Sequence, residues 1–328
     1  MRRFLITGAC GFIGYHLSIL LLKQGDHVVG YDSMNNYYDP KLKQRRLSLL
    51  REHPKFSFIL GDLEDRALVR KTMKEGEFSA VINLAAQAGV RYSLEHPDSY
   101  IASNLVGFFN VLDAFKEYGV PHLLYASSSS VYGANTKLPF STEDRTDNPV
   151  SLYAATKKCN EILAYSYSHM FGSRATGLRF FTVYGPYGRP DMALFKFTKA
   201  ILAGEPIVVY NNGDMQRDFT YVDDIVRGIA LLIDRSRVLQ ALNAPHHVYN
   251  IGNQHPIELM EFICAIEDAL HKKAIIRFSP MQPGDIKATY ADTSDLRLDT
   301  GFVPNMQVRE GIARFVKWYL DYYEVYNA

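Results

Sequence analysis

The chain is predicted to fold as an α/β protein, a Rossmann-type doubly wound parallel sheet with a smaller mixed α/β C-terminal substrate domain. Three observations predict it. Short apolar runs with β-branched members recur at residues 3–7, 27–31, 56–60, 80–84 and 122–126, as buried strands require. Each run ends in small or polar residues, and open parallel sheets bind ligands at their strand C-termini. The first run leads directly into Thr7-Gly8-Ala9-Cys10-Gly11-Phe12-Ile13-Gly14, and residues 15–24 then read as a helix with Leu17, Leu20 and Leu21 on one face.

That strand–turn–helix unit can hold a dinucleotide. Gly8 permits the tight turn, Gly11 lets the backbone approach a pyrophosphate, and Gly14 lets the helix pack on the strand. Phe12 and Ile13 lie at the helix N-terminus, where free N–H groups and the helix dipole favour an anion. The second strand ends at Asp32, where a carboxylate accepts both adenosine-ribose hydroxyls and repels a 2′-phosphate. NAD is therefore expected over NADP, although Lys41, Lys43, Arg45 and Arg46 nearby weigh the other way. The third strand leads to Gly61-Asp62-Leu63, placing Asp62 and Leu63 beside the adenine. Asp62 can equally cap the next helix. The fourth leads to Ala85-Ala86-Gln87, which brings Ala85 to the same crevice, and the fifth to Ser127-Ser128-Ser129-Ser130.

Tyr153-Ala154-Ala155-Thr156-Lys157 supplies a second motif. Tyr153 and Lys157 are four apart and share a helix face. A free tyrosine titrates near pH 10, too high for a good base. A nearby ammonium and a positive nicotinamide ring are expected to favour the phenolate. Tyr153 could then take a proton from an alcohol while a bound cofactor takes the hydride. Lys157 would also hold the nicotinamide ribose.

The chain resembles the extended short-chain dehydrogenases/reductases of the nucleotide-sugar epimerase group, and within it the 4-epimerases of UDP-uronic acids. The likeness runs from Phe4 to Tyr319 and is carried by the glycine turn, residues 85–93 (AAQAGVRYS), the serine run and residues 153–157. Residues 178–191 (LRFFTVYGPYGRPD), 213–224 (GDMQRDFTYVDD) and 280–292 (PMQPGDIKATYAD) carry the rest. The resemblance implies that the C4 of UDP-glucuronate is oxidised by tightly held NAD and that hydride returns to the other face, giving UDP-galacturonate. It also implies a third catalytic hydroxyl three residues before the Val of Val131-Tyr132-Gly133. That is Ser128, with Ser127 and Ser129 as register neighbours.

Further roles follow from the resemblance. Arg217 matches an arginine that meets the diphosphate; an alternative is a surface ion pair with Asp214 or Asp218. Asp285 matches the acid near the uridine ribose. Gln282 stands where galactose epimerases carry a second diphosphate arginine. The 4-keto uronate is a β-keto acid prone to lose carbon dioxide, so its carboxylate must be held. Ser129, Ser130 and Thr182 are placed around the sugar, the latter two at the carboxylate. Decarboxylating relatives usually have Glu at the position of Ser130, and galactose epimerases Asn at that of Thr182. Arg189 could grip the carboxylate as a fork. Arg91 is a weaker candidate for the same anion.

Composition fits these expectations. With 47% hydrophobic residues the 328-residue chain can bury a full core, and a formal charge of +1 suggests neither nucleic acid nor anionic membrane as partner. The 22 Tyr and 19 Phe against one Trp read as core and pocket walls. Cys10, Cys159 and Cys264 are odd in number and have no metal spacing, so no metal is expected and the thiols fit a reducing cytoplasm. No signal peptide or membrane anchor is expected.

The domains are expected to interleave. An NAD-binding domain spans residues 1–179, with a returning strand and helix at about 220–234. A nucleotide-sugar-binding domain spans 180–328, its lobe continuing after His246 and ending in a helix at 308–323. Residues 235–247 are expected to be a loose loop. The resemblance implies a homodimer through helices at 103–118 and 153–171. The rival readings are a decarboxylase, a dehydratase or another UDP-sugar epimerase on the same ketone chemistry, and a non-enzymatic NAD-binding regulator. The regulator ranks low because Tyr153 and Lys157 are intact.

Overall fold

The computed structural model describes residues 2–234, 245–282 and 285–325. A seven-stranded sheet forms its centre. β1 (Arg3–Thr7), β2 (His27–Asp32), β3 (Phe56–Leu60), β4 (Ala80–Asn83), β5 (Leu123–Ser128), β6 (Ala175–Phe180) and β10 (His246–Ile251) lie in the order β10-β6-β5-β4-β1-β2-β3. Every pairing in it is parallel. The apolar runs are continuous because both faces are covered. α1 (Phe12–Lys23) and α9 (Val222–Asp234) share one core with β1 through Leu17, Leu21, Ile225 and Ile229. α3 (Arg66–Gly76) and α6 (Phe108–Glu117) bury Val69, Met73, Val111 and Phe115 in another, joined by Ala164 of α7 (Leu152–Phe171).

The expected elements stand with shifted ends. The first helix begins at Phe12, inside the glycine motif. α2 (Pro40–Arg51) follows β2. Two one-turn helices, α4 (Tyr92–Glu95) and α5 (Pro97–Tyr100), and a π-helix (Ile101–Gly107) lead into α6.

The second lobe carries β7 (Thr182–Tyr184), α8 (Ala193–Ala203), β8 (Pro206–Tyr210), β9 (Gln216–Tyr221), β11 (Pro256–Glu258), α10 (Leu259–Leu270), β12 (Ile275–Ser279), α11 (Ser294–Thr300) and α12 (Val308–Tyr322). β11-β9-β7 form one small sheet and β12-β8 another. Their core holds Phe195, Val209, Phe219, Phe262, Ile312 and Phe315.

Two expectations about chain traffic are corrected. Of the strand and helix expected to return at 220–234, only the helix does so: β9 pairs with β7 and β11 instead, while α9 packs in the core with α1. The strand that completes the large sheet is β10, paired with β6 from His246 to Ile251, in a stretch expected to build the small lobe. The loop expected at 235–247 lies mostly outside the described residues, and its last two residues begin β10. The division into domains at residue 179 stays a proposal.

Candidate active site

The sheet reverses its order of travel between β1 and β4, and the turns leaving these two strands meet there. Gly8 sits at φ +69°, and a Cβ on it would lie 2.8 Å from the Ala85 amide nitrogen. A Cβ on Gly14 would lie 2.1 Å from the Gly8 carbonyl oxygen, and one on Gly11 2.9 Å from the same atom. The three glycines therefore hold turn, helix and neighbouring loop at a separation no side chain permits. α1 starts at Phe12 with no side-chain cap on its first turn, which leaves N–H donors for an anion.

Asp32 ends β2 and is buried. One carboxylate oxygen accepts the Cys10 amide at 2.9 Å, the other the Met34 amide at 2.8 Å. Asp62 does not cap the following helix: Asp65 does, accepting the Leu68 amide at 2.9 Å. Two of the four cations that weighed toward NADP are engaged elsewhere. The Lys43 ammonium donates to the backbone and side-chain oxygens of Asn35 at 2.8 and 2.7 Å, and Arg46 to the Cys10 carbonyl at 2.8 Å. Gly8, Gly11, Phe12, Ile13, Gly14, Asp32, Asp62, Leu63 and Ala85 all line one cavity of about 1050 Å³.

Tyr153 and Lys157 line the same cavity from the first turns of α7. Ser151 caps that helix, accepting the Ala154 amide at 3.1 Å. Lys157 donates to the Ala126 carbonyl at 2.9 Å and lies 6.0 Å from the Tyr153 ring centroid. Burial pushes the Lys157 ammonium down to about 8. The Lys157 ammonium does not supply the depression expected of it at Tyr153. Burial raises its phenol; a Ser128 hydrogen bond and the Arg189 charge oppose that rise, and Lys157 is not among the causes.

The serines of the run have different partners. Ser127 donates to Glu161 at 2.6 Å, whereas Ser128, which lines the cavity with Tyr153, donates to the Ser130 hydroxyl at 3.1 Å. Sequence reasoning missed what stabilises this arrangement. Glu161 accepts Arg179 Nε at 2.8 Å and Nη2 at 2.9 Å, both side chains being 5% exposed. Arg179 also donates to the Tyr132 hydroxyl at 3.1 Å. The signal was present: Glu161 stands eight residues after Tyr153, on the same face of α7.

Ser129, Ser130, Thr182, Arg189, Arg91, Arg217 and Asp285 line the far end of the cavity. Gln282 does not; its carbonyl accepts the Asp285 amide at 3.2 Å. The Arg189 fork is already filled. Nε and Nη2 donate to the two Asp191 oxygens at 2.9 and 2.5 Å, and the Tyr37 hydroxyl donates to Asp191 at 3.0 Å. Burial works to raise the Asp191 carboxyl, and Arg189 more than offsets it. The Asp two residues beyond Arg189 was the signal overlooked.

Arg91 lies 3.3 Å from an Asp285 oxygen and 4.8 Å over the Tyr210 ring. Arg217 pairs with neither Asp214 nor Asp218. Asp285 is 4.0 Å from it, and it donates to the carbonyls of Gln216 and Lys287 at 2.8 and 3.0 Å. Among the described residues, no cluster of His, Cys, Asp or Glu could hold a metal, and no helix is long and apolar enough to cross a membrane.

A crevice for a dinucleotide thus opens onto a phenol, a serine hydroxyl and a buried ammonium, with three arginines beyond. A profile of the NAD dependent epimerase/dehydratase family matches residues 4–252. The chain is 48% identical over 329 residues to a probable UDP-glucuronate 4-epimerase of Rhizobium meliloti, covering 97% of this chain and 96% of that one. It is 51% identical over 333 residues to protein CapI of Staphylococcus aureus, covering 98% and 99%. A crystal structure of UDP-glucuronic acid 4-epimerase from Bacillus cereus, with UDP-glucuronic acid and NAD, superposes at a TM-score of 0.90 and 31% identity, covering 99% of this chain and all of that one.

Proposed function

Since the chain belongs to the NAD dependent epimerase/dehydratase family, we propose that it epimerises UDP-glucuronate and UDP-galacturonate reversibly at C4, through a transient 4-keto sugar. The observation that carries this reading is that Tyr153, Lys157 and Ser128 line the same cavity that the glycine turn enters. The similarity to UDP-glucuronate 4-epimerases over nearly the whole length supports the substrate.

The residues fit NAD. The glycine cradle has no room for side chains, the first turn of α1 is uncapped, and Asp32 is a carboxylate in reach of the cavity. Gly8 to Gly14 would hold the pyrophosphate, Asp32 the adenosine ribose, Asp62 and Leu63 the adenine, and Lys157 the second ribose. NAD bound there supplies reversible hydride transfer at the sugar carbon.

The Tyr153 phenolate takes the C4 hydroxyl proton and returns it from the same atom after the sugar has turned. Ser128 bridges the reacting oxygen and Tyr153. Burial opposes a charged phenolate, so the Arg189 charge and the Ser128 hydrogen bond bring Tyr153 back toward a useful range. Ser129, Ser130 and Thr182 hold the sugar and keep its carboxylate out of alignment with the ketone, which withholds decarboxylation. Arg217, Asp285 and Arg91 face the nucleotide. Arg91, the weaker candidate for the carboxylate, pairs with Asp285, which supports a role for it at this end.

We also infer a homodimer. Ile162, Tyr165, Met170 and Phe171 of α7, with Ile101 and Val106 of the π-helix beside it, are exposed apolar side chains. A shared four-helix face would bury them. A cytoplasmic location fits three free cysteines.

The test is to incubate purified protein with UDP-glucuronate and resolve products by mass and proton NMR. A product of unchanged mass with inverted C4 couplings is expected. Loss of carbon dioxide would replace this reading with decarboxylation.

A further inference from the structure

Arg46 is a cation in the wrong place for its own stability. It occupies α2 in a stripe with Leu42 and Leu50, four residues to either side, and is fully buried with them. No carboxylate lies within ion-pair distance of it among the described residues, and its Nε has no hydrogen-bond partner. Burying an unpaired charge is costly, and a leucine would continue the stripe. Something other than packing keeps the guanidinium there.

Its partners show what that is. Nη1 donates to the Cys10 carbonyl of the glycine turn at 2.8 Å and to the Tyr38 hydroxyl at 2.6 Å. Nη2 donates to the Tyr187 carbonyl at 2.5 Å. One side chain thus ties the cofactor turn to the loop between β7 and α8, across 141 residues of sequence. Tyr187 has φ +56°, a left-handed conformation that a bulky residue adopts only when its surroundings enforce it. A second tie runs in parallel: His16 of α1 lies 2.9 Å from the Pro186 carbonyl. Two residues past Tyr187 the loop carries Arg189, whose charge bears on Tyr153, and then Asp191, which receives Tyr37.

We propose that Arg46 is a positioning residue that holds the 186–191 loop on the cofactor turn, so that Arg189 keeps its station beside Tyr153. This rests on the epimerase reading for its kinetic consequence, though not for its structural one. Bridging two carbonyls needs the forked guanidinium. A lysine ammonium keeps the charge and can reach one of the two.

The experiment uses the NAD-loaded, full-length protein carrying Arg46→Lys, with Arg189→Met and the double variant beside it. Arg46→Lys is expected to keep its melting temperature within a few degrees. Amide exchange at Met192, which donates to the Arg189 carbonyl at 3.2 Å, should rise at least tenfold. Turnover of UDP-glucuronate should fall on the order of tenfold to a hundredfold through misplacement, and the acidic limb of its pH profile should move upward, as it does in Arg189→Met. The double variant should lose little beyond Arg189→Met alone. Unchanged exchange at Met192 overturns the proposal whatever the turnover. So do losses that multiply in full, or an acidic limb that stays in place. Should Arg46→Lys not fold, Arg46→Gln, whose amide can reach only one of the two carbonyls, must give the same rise in exchange; unchanged exchange there overturns the proposal too. Absence of any epimerisation by the unmutated protein would sink the epimerase reading alone, because the exchange measurement stands without it.

Discussion

Replacing Glu161 by Gln removes one charge from a pair sealed between α7 and β6. In the folded protein Glu161 accepts Ser127 at 2.6 Å and two Arg179 nitrogens at 2.8 and 2.9 Å. The neutral amide leaves Arg179 buried with no counter-charge, and loss of one partner of such a pair costs about 3–5 kcal/mol. Spread over the unfolding entropy of 328 residues, that is a fall in melting temperature of ~4–7 °C. Differential scanning calorimetry of the NAD-loaded protein reads it directly. Replacing both residues, Glu161→Leu with Arg179→Met, removes both charges and should recover most of the loss, because apolar replacements of a whole buried pair are often neutral. The acid side has a defined sign. Burial works to raise the Glu161 carboxyl and Arg179 outweighs it, so the pair's contribution is present above the ordinary carboxylate range and is lost as pH falls below it. A Gln variant that melts with the unmutated protein, or a double variant worse than the sum of the singles, would refute the reasoning.

Gly14→Ala would press a methyl to 2.1 Å from the Gly8 carbonyl oxygen, so titration calorimetry should show NAD affinity down about tenfold or more; unmutated affinity would contradict the cradle. Burial pushes His16 down to about 4, His122 to about 3 and His246 to about 4. These folded values lie below that of the unfolded chain, so their stability is present above pH ~6.5 and fades as pH falls, by about 2 kcal/mol per histidine at pH 5. A melting temperature equal at pH 7 and pH 5 would contradict this. Ile162→Arg with Val106→Arg should convert a dimer to monomer in sedimentation, and a monomeric unmutated protein would remove the dimer.

The parts of this molecule legible in its sequence are those encoded locally. The glycine turn, Asp32 and the Tyr153–Lys157 spacing each depend on residues a few positions apart, and the structure gathers them into one cavity. Strand membership is different. β10 joins β6 although a helix and a lobe segment intervene, and β9 leaves the sheet its helix returns to. Parallel pairing is decided by tertiary register, which periodicity does not carry. Ser127 and Ser128 are chemically alike, and it is Glu161 of a distant helix, accepting from Ser127 alone, that distinguishes them. Arg189 was assigned to a ligand while Asp191, two residues on, held its fork. Arg46 was read only as one of four cations near Asp32 that weigh toward NADP. Its place in the Leu42–Leu50 stripe was visible, and a charge in an apolar stripe is itself a signal.

Tyr153→Phe tests the central claim most directly. The ring stays and the oxygen goes, so fold and NAD content should be retained while turnover of UDP-glucuronate, followed by proton NMR, falls about a hundredfold to ten-thousandfold. A variant that epimerises at the unmutated rate would mean that another group moves the proton.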